Sequence, residues 1–191
     1  MFEQLMEIIK THSTETIINN PAVPNEHNEA VMQEAGNSVT STLQQMLASG
    51  QVKDVMSIFK TAPDQVGDHP AMQQISGNFM GSIMEKFGLN SQQAGGIAGS
   101  LLPSVLGGLV KKTNDPADSS LNIQDIFNKL SNNKTSGLDI GGMFSKFSGG
   151  LDKDGDGDVD FSDISSMFTG GGNASSAGGG LMDKLKGMLG S

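Results

Sequence analysis

The chain of 191 residues contains no cysteine, tryptophan, tyrosine or arginine. Without cysteine it forms no disulfide and offers no thiol for catalysis. Without arginine it lacks the side chain best suited to clamp a phosphate group, which weighs against phosphoryl-transfer chemistry. Basic and aromatic residues are not concentrated in any segment, so nucleic acid is not an expected partner.

The chain also lacks a segment typical of a secretory signal or a membrane span. It begins M-F-E-Q-L-M-E-I-I-K, with acidic residues early and no basic region ahead of a long apolar run. Its most apolar stretch, residues 95–110, is short for a span and contains Pro103. We therefore expect a cytoplasmic protein that does not insert into a membrane, with export without a leader as the alternative.

No motif of a known kind of active site is present. His12, His27 and His69 are scattered and do not share a metal-ligand spacing. The sequence has no glycine-rich phosphate loop with Lys and Ser/Thr, and no serine nucleophile elbow. We expect a protein without catalytic activity. An enzyme whose site leaves no motif in the sequence is the alternative.

Acidic residues are concentrated in one segment, residues 152–163, which reads D-K-D-G-D-G-D-V-D-F-S-D. This acidic loop accounts for −5 of the formal net charge of −9. Gly157, at its sixth position, permits a sharp turn that a side chain would hinder. Oxygen ligands suit a hard cation such as Ca²⁺ or Mg²⁺ rather than zinc or copper. The aspartates occupy positions 1, 3, 5, 7, 9 and 12 of the loop: Asp152, Asp154, Asp156, Asp158, Asp160 and Asp163.

Apolar residues flank the acidic loop at the intervals at which the two helices of an EF-hand carry them. Six of the eight flanking positions fit: Phe144, Phe147 and Leu151 before the loop, and Ile164, Met167 and Phe168 after it. Residues 138–169 therefore resemble an EF-hand calcium-binding motif. A solvated acidic linker that binds no ion is the alternative interpretation.

The resemblance implies a role for each aspartate. The first three aspartates of the loop would bind Ca²⁺ through their carboxylates, and Asp158 through its backbone carbonyl. Asp160 would bind directly or through a water molecule, and Asp163 would close the site. EF-hands usually have Glu at this last position. The shorter side chain of Asp163 reaches less easily for two-oxygen binding, which should weaken Ca²⁺ and help Mg²⁺ compete.

EF-hands normally pair, whereas this chain has one clear loop of this kind. The apolar flanks of the loop would form a patch that soluble monomers rarely leave exposed. Three covers are open: the N-terminal helices, a second copy of the chain, or the tail at residues 181–191. The tail has one apolar helical face but is too short to hold a helix alone in water. A homodimer or another protein bound through this face is therefore a candidate partner, in addition to the calcium ion.

Hydrophobic spacing predicts a series of five helices before residue 114. Asp68 and Ser91 are the expected N-caps of the fourth and fifth, and Gly88 is expected to end the fourth. Beyond these, the same spacing predicts two short helices, near residues 123–130 and 140–147.

Residues 87–110 read F-G-L-N-S-Q-Q-A-G-G-I-A-G-S-L-L-P-S-V-L-G-G-L-V. Pro103 in this run is expected to start or kink a helical turn. The Gly-Leu turn, the helix rich in small residues and the Leu-Leu-Pro-x-Val step resemble the YidB-like bacterial domains of unknown function. The resemblance covers residues 75–112. It implies a small, all-helical bacterial domain with no known catalytic residues.

Together these features predict an all-α protein with a helical N-terminal domain, a single EF-hand and a short C-terminal helix on a glycine-rich linker. The expected segments are a helical domain at 1–113, a linker with a short helix at 114–137, the EF-hand at 138–169, a flexible linker at 170–180 and an amphipathic tail at 181–191. The expected function is calcium binding without catalysis, as a sensor or a calcium-stabilised interaction module. A structural protein in which Ca²⁺ or Mg²⁺ only clamps the fold is the alternative.

Overall fold

The computed structural model describes residues 2–118 and 120–147. The chain divides into two compact units, Met1–Ser136 and Gly137–Ser191. The residues that are described form helices and turns and no strand. The predicted all-α class is therefore confirmed for this part of the chain. The predicted segments beyond residue 147 lie outside it.

Six α-helices of the described region belong to the first unit, and a seventh belongs to the second. Short turns of π or 3-10 helix at Thr14–Ile18, Asn25–His27 and Val66–Asp68 lie between the earlier ones. The α-helices are α1 (Phe2–His12), α2 (Asn28–Ala48), α3 (Val52–Ile58), α4 (Pro70–Phe87), α5 (Ser91–Thr113), α6 (Ile123–Leu130) and α7 (Ile140–Phe147).

The start of α4 differs by one residue from the prediction. His69, not Asp68, is the N-cap, because its Nδ1 accepts a hydrogen bond from the backbone amide of Ala71 at 3.2 Å. Pro70 follows as the first helical residue, where its missing N–H costs nothing. Gly88 ends the helix as predicted, with a φ of 68° that favours glycine.

The start of α5 also moves by one residue. Asn90, not Ser91, caps it, because the Asn90 side chain accepts from the backbone amide of Gln93 at 2.9 Å. The Gln93 side chain accepts in return from the Asn90 amide at 2.9 Å, which completes a capping box. Downstream, Pro103 lies inside α5, so it does not start a new helix there.

α5 is the central helix of the first unit. It packs against α1, α4 and the turn at Val66–Asp68. Among the described helices α5 alone is long and apolar enough to cross a membrane, and 56% of its most apolar window is buried inside the protein. Packing therefore accounts for its apolar composition. Its buried residues are Ala94, Ile97, Ala98, Leu101, Leu102, Val105, Leu106, Gly107, Leu109 and Val110.

α1 approaches both α2 and α5 closely because a glycine faces it on each. A Cβ atom at Gly108 of α5 would lie 2.7 Å from Cγ2 of Ile8. A Cβ atom at Gly36 of α2 would lie 3.2 Å from the ring of Phe2. Side chains at these two positions would meet side-chain atoms of α1, which would have to shift to make room, so the two glycines permit this close approach.

α6 follows a connection that is tied back to the earlier helices. The side-chain amide of Asn114 donates to the backbone carbonyl of Phe59 at 2.7 Å. Lys112 pairs with Asp118 at 2.8 Å, and its hydrogen bond holds the pKa of the Asp118 carboxyl well below its usual range. The apolar face that the sequence predicts for α6 is buried: Ile126, Phe127 and Leu130.

α7 is the helix of the second unit that the structure describes. Asp139 caps it, since its Oδ1 accepts from the backbone amide of Gly142 at 2.8 Å. A Cβ atom at Gly142 would collide with the same carboxylate, so the absence of a side chain leaves room for the cap. Ile140, the first residue of the helix, is buried.

Two glycines of α5 give a test of this packing. Gly107→Ala should lower the free energy of unfolding by about 1–3 kcal/mol, because its Cβ would collide with the backbone carbonyl of Pro63. Gly96→Ala should raise it by roughly 0.5–1 kcal/mol, because nothing lies near that position and alanine favours the helix. Urea denaturation measures both. A Gly107 variant as stable as the parent would contradict the packing of α5 against Pro63.

Candidate metal centre and a polar groove

The predicted metal ligands lie outside the residues that the structure describes, and so do the apolar residues at 151, 164, 167 and 168. The described chain reaches the helix that precedes them. α7 carries Phe144 and Phe147 and ends five residues before the first aspartate of the acidic loop. The ligands concerned are Asp152, Asp154, Asp156, Asp158, Asp160 and Asp163.

Residues 2–118 and 120–147 contain no group of three or more His, Cys, Asp or Glu side chains that could hold a metal ion. Two of the three histidines of the chain have other contacts. The ring of His27 lies against that of Phe87, with centroids 5.4 Å apart. His69 caps α4. Within this part of the chain, therefore, no second cluster of ligands competes with the acidic loop as a metal site.

Polar residues of α2 and α4 meet along the edge of the contact between the two helices, where the members from α2 are buried and those from α4 remain partly or fully exposed. Glu34, whose side chain is 11% exposed, accepts a hydrogen bond from Nζ of Lys86 at 2.7 Å. The buried hydroxyl group of Thr42 accepts from the side-chain amide of Asn78 at 2.8 Å. Because the later residue of α2 pairs with the earlier residue of α4, the two helices are antiparallel. We call this set the polar interface: Glu34, Ser38, Thr42, Asn78, Ser82 and Lys86.

An open groove of about 490 Å³ runs along the polar interface. Its lining is made of hydroxyl and amide side chains, with one carboxylate and one aromatic ring. The carboxylate is that of Glu34, which is already paired with Lys86. The ring is that of Phe2, whose side chain is among the large apolar ones left exposed. The lining residues are Phe2, Glu34, Asn37, Ser38, Thr40, Ser41, Gln44, Asn78 and Ser82.

Ser57 and His69 form a pair that resembles the start of a hydrolase triad, with Oγ and Nε2 2.7 Å apart. The hydrogen bonds around it argue against that role. Nδ1 of His69 accepts from the Ala71 amide, so the proton of the neutral ring is on Nε2. Nε2 therefore donates to Ser57, whose hydroxyl donates to the backbone carbonyl of Asp54 at 2.8 Å. In this tautomer Nε2 already carries a proton and cannot accept the one from Ser57. The contact instead holds the His69 ring in place at the start of α4.

A family model of bacterial proteins of unknown function, DUF937, matches residues 71–191. The chain belongs to this family. No curated protein and no solved structure matches the chain. The DUF937 match begins in the first turn of α4 and includes the acidic loop. It agrees with the resemblance to YidB-like domains over residues 75–112, whereas the EF-hand resemblance stays a prediction.

Sequence analysis of this DUF937 member missed the polar interface. A signal for it is present: Glu34, Ser38 and Thr42 recur at every fourth residue, which places them on one face of α2. The same holds for Asn78, Ser82 and Lys86 on α4. Polar residues at this spacing usually mark a solvated face. Only the packing of the two helices reveals that these faces meet.

The cap of α4 predicts a pH dependence of stability. Burial lowers the pKa of His69, and the charge of Asp54 offsets this in part. The folded protein therefore protonates His69 less readily than the unfolded chain does, in which the pKa of His69 is near 6.5. The stability that neutral His69 contributes is complete above about pH 6.5, and it is lost as the pH falls through the lower pKa of the folded state.

His69→Asn should remove this loss of stability at low pH, because Asn keeps an acceptor for the Ala71 amide but does not titrate. Urea denaturation at several pH values between about 5 and 8 measures the effect. His12→Asn is the control, because His12 is exposed and its substitution should leave the pH dependence of stability unchanged. Identical pH profiles for the parent and the His69 variant would contradict the assignment.

Proposed function

We propose that this DUF937 protein binds one Ca²⁺ ion in its acidic loop and catalyses no reaction. The observation that carries the proposal is the sequence of the loop, which has carboxylates at each ligand position of an EF-hand and Gly157 at the turn. Oxygen-only ligands of this number favour a hard divalent cation. The family assignment is neutral on this point, because the function of the family is unknown.

The helix before the loop supports the proposal. An EF-hand needs an entering helix with an apolar face, and α7 (Ile140–Phe147) occupies the corresponding place in the chain. Two of the apolar positions of the motif, Phe144 and Phe147, lie on α7. Its N-cap, Asp139, lies thirteen residues before Asp152, and the helix starts at the next residue.

Charge gives the ion a second effect besides binding. Six carboxylates within twelve residues repel one another when no cation is present. A bound divalent ion removes this repulsion, so ion binding and local folding are coupled. Because Asp163 is shorter than the usual Glu, Mg²⁺ competes with Ca²⁺ better than in a standard EF-hand.

The apolar flanks distinguish a sensor from a calcium-clamped structural protein. In a sensor, Ca²⁺ uncovers apolar surface for a partner. A hydrophobic dye would then bind more strongly with Ca²⁺ than without it. A clamp would stabilise the chain against unfolding and leave dye binding unchanged.

Calorimetric titration with Ca²⁺, in a buffer with millimolar Mg²⁺, tests the site. Asp152→Ala combined with Asp156→Ala should abolish binding, because two of the carboxylate ligands are lost together. The control is Asp64→Ala combined with Asp68→Ala, which removes the same charge from exposed positions outside the loop. The control should bind as the parent does. Unchanged Ca²⁺ affinity in the loop variant would place the site elsewhere and refute the proposal.

A further inference from the structure

We propose that the groove along the polar interface binds a neutral, polyhydroxylated ligand, namely a short oligosaccharide. The groove belongs to the first unit and contains none of the predicted calcium ligands. Its volume of about 490 Å³ lies within the range of small-molecule sites. The proposal is therefore independent of calcium binding.

The charge of the lining argues against an ionic ligand. Glu34 is the one ionisable residue that lines the groove. Its carboxylate is 2.7 Å from Nζ of Lys86, so the pair presents no net charge. An anionic ligand would be repelled by the Glu34 carboxylate, and the lining offers it no further cation. A cationic ligand would have to compete with Lys86 for that carboxylate. A neutral ligand avoids both costs.

The hydrogen-bonding groups of the lining match those of a sugar. The amides of Asn37 and Gln44 each offer a donor and an acceptor, and Asn78 keeps its carbonyl and its second N–H beside the bond to Thr42. The hydroxyl of Ser41 donates to the Ser38 carbonyl at 3.4 Å and can still accept. Sugar hydroxyls likewise donate and accept. A lipid or other apolar ligand would leave these groups unpaired, which is unfavourable.

Phe2 supplies an apolar surface beside these polar groups. Its side chain is 42% exposed although it belongs to the packed α1. Its ring lies over Gly36 of α2, where the missing side chain makes room for it. The exposed part of this ring offers an apolar surface to the C–H groups of a sugar ring, while the amides bind its hydroxyls.

The walls of the groove are held in place before any ligand arrives. The Glu34–Lys86 and Thr42–Asn78 contacts join α2 to α4 two turns apart along the groove. Gly36 leaves room for the ring of Phe2 against α2. A preformed site of this kind loses little conformational freedom on binding. An extended peptide also carries neutral donors and acceptors, so it is the rival that the experiment must separate from a sugar.

The test is titration of the ¹⁵N-labelled full chain, followed by two-dimensional NMR, with maltotriose, cellotriose and N-acetylated chitotriose. Each is added to about 10 mM, because weak sites bind in the millimolar range. We expect at least one to give saturable shifts confined to amides near residues 37–44 and 78–82. Tetra-alanine with blocked ends and a trimer of galacturonic acid are added as the neutral peptide and the charged sugar. Neither should saturate.

Two matched variants assign the shifts to the groove. Gln44→Ala should weaken the saturating sugar about tenfold, the equivalent of one lost hydrogen bond. Gln45→Ala should bind as the parent does, because Gln45 is the exposed neighbour on the same helix and does not line the groove. Phe2→Ala should weaken binding as well.

Three results would overturn the proposal. The first is no saturable shift with any of the three neutral sugars. The second is saturation by tetra-alanine alone, which would make the groove a peptide site. The third is equal affinity in the Gln44 and Gln45 variants, which would place the sugar elsewhere. The acidic loop is unchanged in these variants. Calcium titration of the same samples therefore tests the proposed calcium site separately from the proposed sugar site.

Discussion

The burial of α5 is a constraint on which the packing of the first unit depends. Ten residues distributed around this helix are shielded from water, and each large apolar side chain contributes about 1.5–3 kcal/mol when fully buried. A helix that is apolar over most of its circumference needs neighbours on several sides. α1, α4 and the turns at Thr14–Ile18 and Val66–Asp68 supply them. Gly107 and Gly108 let those neighbours come within contact distance.

The contact between α2 and α4 depends on directional hydrogen bonds as well as on apolar packing. Its apolar residues would allow several relative positions of the two helices, because hydrophobic contacts are not directional. The Glu34–Lys86 and Thr42–Asn78 hydrogen bonds are satisfied in a single antiparallel register. These two hydrogen bonds favour that alignment of the two helices, and the polar interface leaves hydrogen-bonding groups along a surface groove. The same residues serve packing and the proposed ligand site.

Local patterns predicted the helices because each depends on spacing within one segment. Single residues at the helix ends were harder: Asp68 and His69 can both cap, as can Asn90 and Ser91. The cap is the residue with extended backbone, and ψ values of 136° for His69 and 167° for Asn90 decide between them. The acidic loop is also a local pattern, so its ligands could be named from sequence. The groove joins residues that are distant in the chain, and no local spacing reveals it.

Hydrogen–deuterium exchange of the full chain, with and without Ca²⁺ in millimolar Mg²⁺, tests the central claim most directly. It reads each segment separately and needs no substitution. Calcium binding in the acidic loop predicts slower exchange across residues 138–169, because ion binding and local folding are coupled there. Residues 2–113 should exchange at the same rate in both conditions. Exchange across 138–169 that does not respond to Ca²⁺ would contradict the account.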